Sequence, residues 1–154
     1  ALRDMIQSHF LNIVFRLLEN PEKEFSHFEI EEYKRAQYGN GKDKGYAKEL
    51  GKKSDTETFA KVRLKTKGRE FEFITGKKFD RKTGFIEIDS RKIYLESAKD
   101  PYAHLFLDFF SQKKNNFATI DNSILAWEIT EKIEEKKQKL EYYPENSSSE
   151  EIIS

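Results

Sequence analysis

The sequence predicts an α+β fold, on three observations. Apolar residues recur at spacings of three and four near both ends of the chain. Between residues 59 and 97 that period switches to two. Aromatics make up 14% of the 154 residues, which offsets an apolar fraction of only 36%, because each buried ring removes roughly 150–250 Å² from water. The expected architecture is a four-stranded antiparallel meander over about 59–97, flanked by N-terminal helices and two C-terminal helices. Residues 1–140 form a single domain in this reading, and 141–154 a flexible acidic tail.

Residues 2–19 read as a helix, with Leu2, Ile6, Phe10, Ile13, Val14, Leu17 and Leu18 on one stripe, and Asn20–Pro21 stops it. A second helix is expected from Ser26, because Ser26 and Glu29 have capping-box spacing and Phe28, Ile30 and Tyr33 follow. Gly39-Asn40-Gly41 ends it in a loop. Residues 43–51 form a short third helix carrying Tyr46, Ala47 and Leu50.

The strand region carries its own pairing code. With Lys67–Gly68 as a two-residue turn, Leu64 meets Phe71 and Val62 meets Phe73 on one face. Lys65 then meets Glu70 and Arg63 meets Glu72 on the other. A second hairpin turns at Ser90–Arg91, with Ile88 facing Ile93, Ile86 facing Leu95, Asp89 facing Lys92 and Glu87 facing Tyr94. Phe85 and Tyr94 point away from that isoleucine face. They are either a stacking platform or a surface covered by a helix.

Helical signals return at Asp100, a candidate N-cap before Pro101. Tyr102, Leu105, Phe106, Phe109 and Phe110 form the expected inner stripe of a helix running to about Gln112. The last helix spans roughly 121–140, with Ile124, Leu125, Ile129 and Ile133 apolar. A rival parse takes residues 2–53 as three helices and 59–75 as the wing of a winged helix, with 43–53 in a major groove.

Composition narrows function. There is no Cys, which excludes a disulfide scaffold, thiol catalysis and Cys-ligated zinc. The longest apolar stretch, residues 10–18, is interrupted by Asn12 and Arg16, so no membrane span is expected. No basic segment followed by an apolar run marks a signal peptide, and the chain reads as cytoplasmic or otherwise intracellular. Starting at Ala1, it fits a processed chain or part of a longer one.

The formal net charge is zero, from 28 basic and 28 acidic residues. Residues 1–39 carry −2, residues 40–97 carry +6 and residues 98–154 carry −4. A ligand within a Debye length of roughly 8 Å senses the local face more than the total. The hairpin register consumes Lys65 and Arg63. The remaining cations concentrate in Lys77, Lys78, Arg81 and Lys82 around Phe79, and in Lys42, Lys44, Lys48, Lys52 and Lys53. Cations flanking an aromatic suit nucleic acid, through phosphate neutralisation plus a ring for base stacking.

Catalytic patterns are sparse. No pair of His9, His27 and His104 has zinc spacing, and each reads as a surface or partly buried imidazole. No P-loop, GxGxxG or GxSxG occurs, and no cofactor is expected. Asp80, Glu87 and Asp89 with Lys92 make a weak match to a metal-dependent nuclease. The leading expectation is a non-enzymatic nucleic-acid-binding or regulatory domain using the two basic segments. The alternative is a protein-interaction or assembly domain whose partner takes the C-terminal helix or the acidic tail. In that tail, Ser147–Ser149 stand beside Glu150 and Glu151 as a phosphorylatable run.

Overall fold

The computed structural model describes all residues except 82, 83, 89, 96–99, 114–116 and 154. It is α+β, with a mixed four-stranded sheet, a separate two-stranded sheet and helices at both ends. Two compact units form. One is Ala1–Asp80 with Thr119–Ser154; the other is Arg81–Ala118. Among the described residues, no helix is long and apolar enough to cross a membrane.

The first unit begins with a π-helix, Leu2–Phe10, which runs straight into α1, Leu11–Leu17. Asn20 does stop this helix, and its side chain also caps the next one. Its Oδ1 accepts the Lys23 amide at 2.9 Å, starting α2, Pro21–Glu24.

The expected second helix is instead a strand, β1, Glu29–Tyr38. The capping box does not form, and the Ser26 hydroxyl donates to the Lys23 carbonyl. Partners distant in sequence decide the matter. β1 runs antiparallel to β2, Phe59–Lys65, with a bulge between Ile30 and Glu32. It runs parallel to β6, Leu140–Tyr143, on its other side. Burial of Tyr33, Ala36, Gln37 and Tyr38 follows from that central position.

The short third helix is present as α3, Tyr46–Leu50. β2 then pairs with β3, Glu70–Gly76, in the register that the sequence predicts. Leu64 lies opposite Phe71, Val62 opposite Phe73, Lys65 opposite Glu70 and Arg63 opposite Glu72. The charged face gains a third row from β1, because Glu32 lies 2.8 Å from Lys61 and 3.3 Å from Arg63. The sheet order is therefore β3-β2-β1-β6. Ala60, Val62, Leu64 and Phe73 pack with Leu2, Ile6, Leu11 and Phe15 and with Ile129 and Ile133 of α5, Ile120–Glu134.

Two sheet expectations are corrected here. The 59–97 meander is not one sheet, because β2–β3 completes its hydrogen bonding with β1. The winged-helix parse fails for the same reason, and α3 at five residues is too short for a recognition helix. The chain expected as a tail from residue 141 begins with three residues of β6 and continues to α6, Ser149–Ile153. There Ser148 and Glu151 cap each other reciprocally, at 3.0 and 3.2 Å.

The second unit holds the hairpin β4, Phe85–Ile88, and β5, Arg91–Tyr94, then α4, Pro101–Phe110. The hairpin is slipped two residues from the expected register. Ile86 faces Ile93, Glu87 faces Lys92 and Phe85 faces Tyr94. A slip of two keeps every side chain on its face, so Phe85 and Tyr94 still share one, and both are exposed. Their rings lie 6.0 Å apart. Asp89, one member of the predicted acidic cluster, lies outside the described residues. Asp100 adopts φ +63° and its side chain makes no cap hydrogen bond. The stripe Tyr102, Leu105, Phe106, Phe109 and Phe110 is not an inner one, for all five side chains are exposed.

Candidate functional site

One ion pair, Lys78 with Glu49 of α3, links the two basic segments. β1 ends at Tyr38 and enters a loop closed by a bridge between Gly39 and Gly45. Gly39 has φ +104°, and a Cβ there would sit 2.3 Å from the Lys44 carbonyl oxygen. Only glycine permits that turn. Asn40 then pins the loop from inside. Its Oδ1 accepts the amides of Lys42, Asp43 and Lys44 at 3.0–3.2 Å, and its Nδ2 donates to Asp43 at 2.8 Å. The Asn40 hydrogen bond also holds the Asp43 carboxyl below its usual range. Lys42 and Lys44 are left exposed on a rigid turn.

β3 delivers the second segment to the same place. Lys78 Nζ lies 3.8 Å from Glu49 of α3 and 5.9 Å from the centroid of the Tyr38 ring. The Lys77 backbone is fixed on both sides. Its amide donates to the Thr58 carbonyl at 2.9 Å, and its carbonyl accepts the Tyr143 hydroxyl at 2.8 Å. Among the described residues, Lys42, Lys44, Lys48 and Lys77 have no carboxylate within salt-bridge distance. Lys52 and Lys53 follow α3 and are exposed. Tyr38, the ring under Lys78, packs in a cluster with Tyr46, Phe59 and Tyr143. Burial pushes the Tyr38 hydroxyl up, and its hydrogen bond to Glu49 adds to this. Burial likewise raises Tyr143, against the opposing Thr58 hydrogen bond. Both phenols therefore stay neutral near pH 7.

Phe79, read from the sequence as a candidate stacking group, is partly buried. Its ring packs 6.1 Å from Phe59 and 6.5 Å from Tyr143, and it fills the space beside Gly76 so closely that a Cβ there would meet it at 2.2 Å. Arg81 belongs to the second unit, and Lys82 lies outside the described residues. In the first unit the exposed cations of the two segments are Lys42, Lys44, Lys48, Lys77 and Lys78, and the contact of Lys78 with Glu49 links the segments. Of the acidic cluster, Glu87 pairs with Lys92 at 3.8 Å.

The π-helix is a feature with little sequence signal. Such turns cluster at functional sites because the i→i+5 pattern costs stability and persists only where something holds it. Here Leu2 and Ile6 face the core, while Arg3, Asp4, Ser8 and His9 face outward. Asn12 sits at the exit and donates to the carbonyls of Ser8 at 3.1 Å and Gln7 at 3.4 Å. Arg3 ties the outer face to α5 by a two-pronged contact with Glu134 at 2.6 and 2.8 Å, and lies 5.3 Å from the Trp127 ring. At its start, Glu57 accepts the Leu2 amide at 2.9 Å. Gln7 is buried with its Oε1 unpartnered. The one hint in the sequence is the polar run Gln7-Ser8-His9 inside an apolar period. His9 is exposed on this helix, in keeping with its reading as a surface imidazole.

No family model matches the sequence, and no curated protein matches it. The fold does have a counterpart among solved structures. It is similar to the crystal structure of glucose-6-phosphate 1-dehydrogenase from Mycobacterium avium, with a TM-score of 0.68 at 17% sequence identity. The likeness covers 96% of this chain and 46% of that one, so this chain spans about half the neighbour's length. That likeness overturns the expectation of a nucleic-acid-binding or regulatory domain, because the fold is one found in an enzyme. The likeness says nothing of a protein partner for the C-terminal helix or tail. The expected docking helix, α5, buries Ala126, Ile129 and Ile133 in the core, and Tyr143 of the expected tail is buried too.

Proposed function

We propose that this chain is a sugar-phosphate-binding domain of a dehydrogenase-type enzyme. The observation that carries the reading is the fold likeness across nearly the whole chain to a protein named as acting on glucose 6-phosphate. The basic surface supports it. A sugar phosphate brings close to two negative charges, and Lys77, with Lys42, Lys44 and Lys48, supplies exposed cations that have no carboxylate within salt-bridge distance among the described residues. The rigid Asn40 turn lowers the ordering cost of holding them there.

The reading is confined to binding, and no proton or hydride transfer is assigned to His9, His27 or His104. The sequence holds no glycine-rich dinucleotide fingerprint. No dinucleotide is assigned to these residues, and no step is routed through one.

Calorimetric titration with glucose 6-phosphate and with glucose tests the reading. The phosphate ester should bind saturably and glucose at least about tenfold more weakly, a difference of roughly 1.4 kcal/mol. Lys77→Ala should remove most of that difference, while His9→Gln should leave it. Equal affinity for the two sugars, or no binding of either, would overturn the proposal.

A further inference from the structure

The second unit leaves its hydrophobic side chains in water. α4 exposes Tyr102, Leu105, Phe106, Leu107, Phe109 and Phe110, with Phe110 at 77% of its full accessibility and Tyr102 at 74%. The hairpin β4–β5 adds Phe85, Ile88, Ile93 and Tyr94. Monomeric proteins rarely expose apolar patches beyond a few hundred Å². At these exposures the side chains amount to roughly 1,000 Å², against the ~800 Å² per partner that a standard stable interface buries. The hairpin also stands as a two-stranded sheet, with no third strand among the described residues. Such a pair is marginal alone in water.

We propose that this unit is the contact between two copies of the chain, α4 and the β4–β5 hairpin packing against the same elements of a second copy about a two-fold axis. Area is the first argument, since one copy exposes what one side of a stable dimer buries. Charge is the second. Among the described residues of this unit, Lys92 pairs with Glu87 and Lys113 with Asp108, each at 3.8 Å. These local pairs reduce the charge that an oppositely charged partner or an anionic lipid surface would read. An apolar helix stripe can pack against the same stripe of a second copy, which is what an isologous contact requires.

Sedimentation equilibrium between about 1 and 100 μM covers the range expected for an interface of this size. The mass should approach twice the 18.2 kDa of one chain. Phe106→Glu with Phe110→Glu should weaken association at least tenfold and return the mass to one chain, with an unchanged far-ultraviolet circular dichroism spectrum. The chain contains no Cys, so Leu107→Cys introduces a single thiol. A short bis-maleimide should then join two copies, a readout that does not depend on the glutamate variants folding. A monomer at every concentration would overturn the proposal. So would a dimer that the glutamate substitutions leave intact, or open-ended aggregation in place of a closed pair.

Discussion

The two units of this molecule contain the same kinds of local pattern and treat them differently. In the first, the β2–β3 hairpin has an apolar face, and the π-helix, α1 and α5 lie on it. Val62, Leu64, Ile129 and Ile133 are wholly buried there. In the second, β4–β5 is also a hairpin with matched partners, and α4 is richer in aromatics than any helix of the first unit. Yet Phe106, Phe109 and Phe110 are exposed. Pattern alone therefore sets the element and its faces, while burial requires a second surface of matching shape. Hydrophobic stabilisation scales with area removed from water, and without that second surface the area stays wet.

Paired truncations would break this comparison most directly. Phe73 is 5% exposed within the main core, and Phe73→Ala should cost about 3–5 kcal/mol through lost burial and the cavity left behind. Phe106 is 62% exposed. In protein dilute enough to be monomeric, Phe106→Ala should cost about 0.5 kcal/mol or less, as surface substitutions do. Chemical denaturation followed by Trp127 fluorescence measures both. Equal losses would mean that α4 is as well packed as the core, and the contrast between the units would fall.

Much of the first unit is legible in sequence where the determinants lie within a few residues. The β2–β3 register is local, because Lys67–Gly68 fixes the turn and four cross-strand pairs then agree. β1 is not legible for the opposite reason. Phe28, Ile30 and Tyr33 sit at helix-compatible spacing, and the strand arises from pairing with β2 some thirty residues on and with β6 more than a hundred residues on. Tertiary pairing outweighs local propensity there. The candidate site divides in the same way. Lys77, Lys78, Lys42, Lys44 and Lys48 are legible as cations left over from the hairpin pairing, but the link between the two segments, Lys78 to Glu49, is made only by the fold. Phe79 reads as a free ring because Tyr143, which helps to bury it, lies 64 positions later. The π-helix needs a shifted hydrogen-bond pattern stabilised by Asn12, which no periodicity reports.

Acid titration sharpens the comparison, because the first unit carries a partly buried carboxylate at the foot of its π-helix. Burial alone would raise the Glu57 carboxyl. The Leu2 amide and the Ala1 ammonium outweigh it and hold the carboxyl below its usual value. A folded-state pKa below the unfolded one gives stability that is present above the unfolded value of about 4.5. That stability is lost as pH falls through the folded value. Unfolding midpoints should therefore drop below about pH 4.5, with a shallower fall in Glu57→Gln. Identical acid slopes for the two proteins would remove Glu57 from the account of how the π-helix is held.

The smallest expected effect concerns the charged outer face of each hairpin. Arg63 contacts both Glu72 at 2.9 Å and Glu32 at 3.3 Å, so its carboxylate partners sit on two neighbouring strands. Lys92 has the Glu87 carboxylate at 3.8 Å and the Phe85 ring at 4.6 Å, both on one strand. Exposed ion pairs contribute little singly, because water screens them and ordering two long side chains costs entropy. A side chain already fixed by one partner loses less entropy in meeting a second on another strand. Arg63→Ala should therefore lower the thermal midpoint slightly at low salt and hardly at all in molar salt. Lys92→Ala should not move it measurably at either. A larger shift from Lys92 than from Arg63 would place the hairpin β4–β5, rather than the main sheet, in the cooperative unit that melts.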